Sequence, residues 1–225
     1  MKTMEATFDI PNDPIKADLA LYFMDGHFLL REMDHNDIET YKFLRAADVN
    51  AAFSLRDYDS GWLPAGVVRT GANAQGAWTV YSVPARMQNL WLGDRLISVP
   101  LPRLVMLTTG GGSYLWALKT RDFERDAQAW RAPLPNVYID GGICWGANPQ
   151  PKGDPDQVRK AFTLFFEAPF NAHLVDGKSA TWKSDVRQLL DGLAGKGKKV
   201  FPEKELIPDR RKIDDCIQSH IEVKR

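Results

Sequence analysis

The chain has 225 residues, 44% of them hydrophobic and 26% charged, a balance suited to one globular domain with elaborations and a core that needs no staples. Lysine plus arginine equals aspartate plus glutamate, 29 against 29, so the net charge offers no electrostatic footprint for nucleic acid or an anionic membrane. No stretch approaches the roughly 20 continuous apolar residues of a membrane span, and Met1 to Pro14 lacks the basic and apolar regions of a secretory signal, so a cytoplasmic protein with free thiols at Cys144 and Cys216 is expected.

Ala17 to Met24 and His27 to Met33 are apolar-rich and flank Asp25-Gly26, a strong hairpin signal, which predicts an amino-terminal β-hairpin. Asn36 to Ala52 carries Ile38, Tyr41, Leu44 and Val49 at mixed helical spacings, with Asn36 or Asp37 available as a cap, and reads as a helix. From Asp59 the texture changes to short β-like runs at Gly66 to Thr70, Ala77 to Val83, Arg103 to Thr109 and Ser113 to Lys119, the pattern of an antiparallel meander. Gly110-Gly111-Gly112 lacks the Lys-Ser/Thr of a phosphate loop and precedes a strand-like run, so it reads as a hairpin turn.

Further on, Asp154-Pro155-Asp156-Gln157 can cap and open a helix whose face is Val158, Ala161, Phe162 and Phe165, with Pro169 ending it. A second helix is predicted over Ser184 to Leu193, with Val186, Leu189, Leu190 and Leu193 inward. The lysine-rich stretch from Lys196 reads as a solvated linker, followed by a short helix on which Cys216 packs as a small hydrophobe beside Ile213, Ile217 and Ile221. The resulting expectation is an α+β fold, a β-meander flanked by helices. Residues 1–35 form a hairpin extension, 36–195 the core, and 196–225 a basic linker with a terminal helix.

Chemistry concentrates in Pro133-Leu134-Pro135-Asn136-Val137-Tyr138-Ile139-Asp140-Gly141-Gly142-Ile143-Cys144-Trp145. One cysteine follows an Asp-Gly-Gly turn, which places it on a sharp, accessible loop. A thiolate is both a strong nucleophile and a good leaving group, suited to receiving an acyl group and handing it on. A hydrolase would also need a histidine base, for which His173 is the candidate among His27, His35, His173 and His220. Zinc is disfavoured, because the two cysteines lie 72 positions apart (216 − 144) and the histidines are scattered.

Asn136 and Cys144, eight positions apart (144 − 136), resemble the active-site loop of ubiquitin-conjugating enzymes, His-Pro-Asn followed by a Gly-bearing turn and Ile-Cys, with Gly141 and Ile143 in register. Leu101 to Leu107 resembles the strand preceding that loop. Asp59 to Arg69, Ala132 to Tyr138 and Gly142 to Gly146 resemble the bacterial group called PRTRC system protein B, in prokaryotic branch D of the conjugating-enzyme superfamily, over about Asp59 to Pro208.

The resemblance implies an acyl transferase in which Cys144 accepts the carboxyl terminus of a ubiquitin-like protein from a ThiF-type activating enzyme and passes it to a lysine amine. It implies a JAB-type peptidase in the same system and no metal or diffusible cofactor. Asn136 matches the asparagine thought to shape the loop and stabilise the oxyanion, a task for an amide that donates without titrating. Leu134 stands where the wider family has histidine, a loss that the branch shares. Trp145-Gly146 replaces the Leu-Asp that follows the cysteine, so the usual acid is missing; Asp140 is the nearest carboxylate in sequence, but an aspartate before Gly-Gly is more often a turn former. The alternative is a non-catalytic binding module on the same fold that recruits a ubiquitin-like protein or an activating enzyme.

Overall fold

The computed structural model describes residues 18–24, 27–54 and 60–222. Asp25-Gly26 and Met1 to Pro14, on which two of the expectations above fall, lie outside them. The chain divides into two compact units with the boundary between Ser60 and Gly61.

In the first unit, strands β1 (Leu19–Met24), β2 (His27–Met33) and β3 (Glu39–Leu44) pair antiparallel in that order, followed by helix α1 (Ala46–Ser54). Met24 lies opposite His27, as a tight hairpin requires. The helix expected from Asn36 is instead a turn, a strand and a shorter helix. Asp34 Oδ1 accepts hydrogen bonds from the backbone N–H groups of Asn36 and Ile38, at 2.8 and 2.9 Å, which reverses the chain before the cap can act. Thr40, Tyr41 and Phe43 then extend along the free edge of β2, whose backbone groups need a partner.

The second unit is built on a six-stranded sheet that contains β4 (Val67–Asn73), β5 (Gly76–Val83), β8 (Arg103–Thr108), β9 (Ser113–Leu118), β10 (Gln128–Arg131) and β11 (Pro208–Lys212), in the order β11-β10-β9-β8-β5-β4. Strands β6 (Arg86–Leu92) and β7 (Arg95–Leu101) form a separate hairpin. Helices α2 (Pro155–Glu167), α3 (Val186–Gly195) and α4 (Ile213–Ile221) also belong to this unit, with a 3₁₀ turn at Glu203–Glu205. The mixed α+β architecture, mostly antiparallel, is the one expected.

Strand β8 is buried along its whole length because the sheet is covered on both faces. Leu104 and Met106 point into a core shared with α2, α3 and the β6–β7 hairpin, whereas Val105 and Leu107 point into a second core closed by Ile213, Cys216, Ile217 and Ile221 of α4. The glycine run between β8 and β9 is a hairpin turn, and Thr109 Oγ1 accepts from the N–H groups of Gly111 and Gly112. Those amides are therefore engaged within the turn.

Pro155 opens α2 as predicted, but the Asp154 side chain makes no cap and its backbone carbonyl accepts from Gln157 N instead, so the capping box does not form. Asp185 does cap α3, accepting from Arg187 N at 3.0 Å. The carboxyl-terminal stretch is more than a linker and helix. Phe201 and Leu206 are buried in the core, and β11 forms the sheet edge despite its charged sequence. Among the described residues, no helix is long and apolar enough to cross a membrane.

Candidate functional site

The eight-residue interval from Asn136 to Cys144 closes a miniature hairpin. Cys144 N donates to Asn136 O at 2.9 Å, Val137 bridges Ile143, and Tyr138 N donates to Gly142 O at 2.7 Å. A turn from Tyr138 to Gly141 closes it, with Gly141 N donating to Tyr138 O at 3.0 Å. Gly141 has φ of +101°, and a Cβ there would lie 2.6 Å from the Trp116 indole, so only glycine satisfies both the backbone and the packing. The spacing read as a motif is thus the geometry that sets Asn136 directly across from Cys144.

This hairpin is anchored to the sheet at two points. Leu115 N donates to Gly141 O and Ile143 N donates to Ser113 O, both at 2.8 Å, so β9 carries the loop. Leu134 is fully buried in the core that also holds Phe165 and Phe170. A histidine at that position would bring polar ring nitrogens into an apolar site, so leucine here acts as an anchor for the loop.

Cys144 is half-buried at a cleft of about 240 Å³. Asn136, Asn148 and Asn171 line the cleft with His173, and Trp145 and Phe165 form its apolar wall, their rings meeting edge to face at 6.1 Å. Asn136 adopts φ of +59°, a left-handed conformation that asparagine tolerates better than most residues. Its Oδ1 is buried with no hydrogen-bond partner and its Nδ2 donates to none of the described residues, so the side-chain amide is not committed to the turn that its backbone builds. An amide of this kind can present a donor to an oxyanion forming at the thiol.

His173 lines the same cleft. Its backbone carbonyl accepts from Asn136 N at 3.0 Å, and its ring packs edge-on against Tyr138, with centroids 6.5 Å apart. The backbone of His173 thus supports the cysteine loop, while the imidazole contacts Tyr138. Asp140 lies apart from these groups. Its Oδ1 accepts from Gly142 N at 3.0 Å, and it lines a different cavity, of about 750 Å³. No carboxylate is among the described residues that line the cysteine cleft. Cys216 is buried on α4, and burial pushes its thiol up to about 12, which keeps it protonated and inert.

Sequence reasoning missed Asn148, Asn171 and, most of all, Lys178. The Lys178 side chain is 1% exposed and its ammonium donates to the carbonyls of Val137 and Leu174, the residues that follow Asn136 and His173. Burial pushes this lysine down to about 8, with Asp176 opposing the effect and Arg131 adding to it. Lys178 therefore clamps the two segments that meet behind Cys144. A lysine in Asp176-Gly177-Lys178-Ser179 reads as a solvated loop residue, and no local signal marks it as buried.

No curated protein and no solved structure matches the chain. A match does come from the family described as prokaryotic E2 family D, over residues 40–209, a span that includes the cysteine hairpin, its cleft, α2, α3 and the start of β11. As that match covers most of the chain and agrees with its mostly antiparallel α+β fold, the protein belongs to prokaryotic E2 family D, the E2-like family of the ubiquitin-conjugating type.

Proposed function

We propose that the protein is a ubiquitin-conjugating-like acyl transferase that carries a ubiquitin-like modifier as a thioester on Cys144, and that within its family it belongs to the PRTRC system protein B group. The observation that carries this reading is the pairing of a half-buried thiol with an uncommitted amide across a hairpin, at a cleft lined by asparagines.

In the first step the Cys144 thiolate attacks the acyl carbon of the modifier's terminal glycine, held as a thioester on a ThiF-type activating enzyme. A new S–C bond forms and the donor's thiolate leaves. In the second, a lysine amine attacks the Cys144 thioester, the C–N bond of an isopeptide forms, the Cys144 thiolate leaves, and the amine's proton passes to a base or to solvent. Asn136 stabilises the oxyanion in both steps. His173, which lines the cleft, is the proposed acceptor of that proton, while Asp140 serves the turn. ATP is consumed by the activating enzyme, and a JAB-type peptidase of the same system would reverse the product.

The test mixes the full chain with cognate activating enzyme, ATP and modifier. A thiol-reducible adduct on the native protein, replaced in Cys144→Ser by an oxyester that survives reductant, is the expected result. No adduct with any cognate set overturns the reading. The lack of a carboxylate among the described residues that line the cleft favours a second reading, a binding module that holds the modifier or its activating enzyme without carrying it covalently. That reading requires a complex of the same affinity with wild type and Cys144→Ser, and no adduct with either.

A further inference from the structure

The 750 Å³ cavity borders the same loop as the cleft, with Val137 and Leu174 in its wall where their chain neighbours Asn136 and His173 line the cleft. Its size falls within the range of ligand sites in proteins. Arg131, Lys178, Arg210 and Arg211 line it, together with Asp140, Asp176 and Asp209. The charges are unevenly matched. Arg211 pairs with Asp209 at 3.0 Å, but among the described residues Arg131, Lys178 and Arg210 make no ion pair.

Arg131 and Lys178 instead donate to neutral carbonyls, Arg131 to Gly177 at 2.8 Å and Lys178 to Val137 and Leu174. Carbonyls satisfy the donors without neutralising the charges. The two cations are also close enough that Arg131 helps to depress Lys178, so each would gain from an anion set between them.

We infer that this cavity is a binding site for an acidic peptide segment, with one carboxylate received by Arg131 and Arg210 and the buried charge of Lys178 behind them. Formal charge selects the class. Four cations against three carboxylates leave one positive charge, enough for one carboxylate of a peptide whose other acidic side chains stay in solvent, and it disfavours the dense charge of a polyphosphate or nucleic acid. Asp140 and Asp176 offer acceptors for the N–H groups of a peptide backbone, and the half-exposed Tyr138 and Ile139 give its side chains apolar surface. The site does not depend on Cys144 carrying an acyl group.

The test titrates the ¹⁵N-labelled full chain with N-acetyl-tetraglutamate amide, with the matching tetraglutamine peptide, with glutarate and with inorganic phosphate. Saturable shifts confined to residues 137–140, 174–178 and 208–211 are expected with tetraglutamate, weakening as salt is added. Because Lys178→Met removes a clamp of the loop, Arg210→Gln, at an exposed residue, is the primary variant. It and Arg131→Gln should each weaken binding about tenfold. Arg95→Gln, at an exposed arginine paired with Asp191 elsewhere, should leave binding unchanged. Absence of saturable binding, equal binding of tetraglutamine, or unaltered affinity in both cavity variants overturns the site. Glutarate or phosphate binding as tightly as tetraglutamate overturns its assignment to a peptide.

Discussion

Replacing Lys178 by methionine separates two consequences of burying a lysine. Burial brings its folded-state value to about 8, against an ordinary 10.5. Between those values the unfolded chain binds more protons than the folded one, so this group's contribution to stability rises with pH. Its burial cost is fully present below about pH 8 and gone above about pH 10.5. The whole gap corresponds to about 3 kcal/mol, of which about 2–3 kcal/mol falls between pH 7 and pH 10. Methionine removes that titration but strips the Val137 and Leu174 carbonyls of their donor, at roughly 1–3 kcal/mol each. At pH 7 the relief and the loss oppose each other and the net change is small. At pH 10 the wild-type lysine is largely free of its penalty, and the variant should fall behind by about 2–3 kcal/mol more than at pH 7. Urea denaturation of both proteins at the two pH values measures this difference. Cys216, whose raised thiol value costs stability above about pH 9, titrates in both proteins and cancels. A difference that stays constant with pH, or that shrinks as pH rises, refutes the buried-lysine argument.

Other expectations are more local. Asn136→Gly keeps the left-handed backbone and removes only the amide; it should lower single-turnover transfer to a lysine about 10²- to 10³-fold with little change in urea midpoint, whereas Asn136→Ala adds backbone strain of about 1 kcal/mol. Comparable transfer by Asn136→Gly and wild type would remove Asn136 from the chemistry. Gly141→Ala places a methyl against the Trp116 ring at a backbone angle of +101°, and a loss of about 1–3 kcal/mol is expected in chemical denaturation. In the native protein, iodoacetamide followed by mass spectrometry should label Cys144 and spare the buried Cys216 until denaturant is added. Rapid native labelling of Cys216 would contradict its placement in the core.

Much of this protein was legible because its strongest signals are local. The apolar face of α2, the inward face of α3 and the helical spacing around Cys216 each follow from contacts a few residues apart. The cysteine hairpin was legible for the same reason, since the Asn136-to-Cys144 register and Gly141 are properties of one short segment. Elements stabilised by distant partners were not. β3 took residues that also suit a helix because β2 offered an unpaired edge. β10 and β11 pair with each other across some 80 residues, and neither carries an apolar alternation of its own.

The site divides along the same line. The amino-acid sequence alone determined the single thiol on a turn and its eight-residue register with Asn136, since both depend on backbone preferences within nine residues, and the class of fold followed from the alternation and helical spacing of its apolar residues. Tertiary structure decided the rest. Asp140, next to Gly141 in the chain, faces a separate cavity, because successive residues of a tight turn project in different directions. Lys178, 34 residues beyond Cys144 (178 − 144), closes the back of the loop, because burial in the folded protein brings its ammonium to carbonyls of two separate segments. A buried charge must find partners wherever packing supplies them, and those partners are fixed only when the whole unit folds.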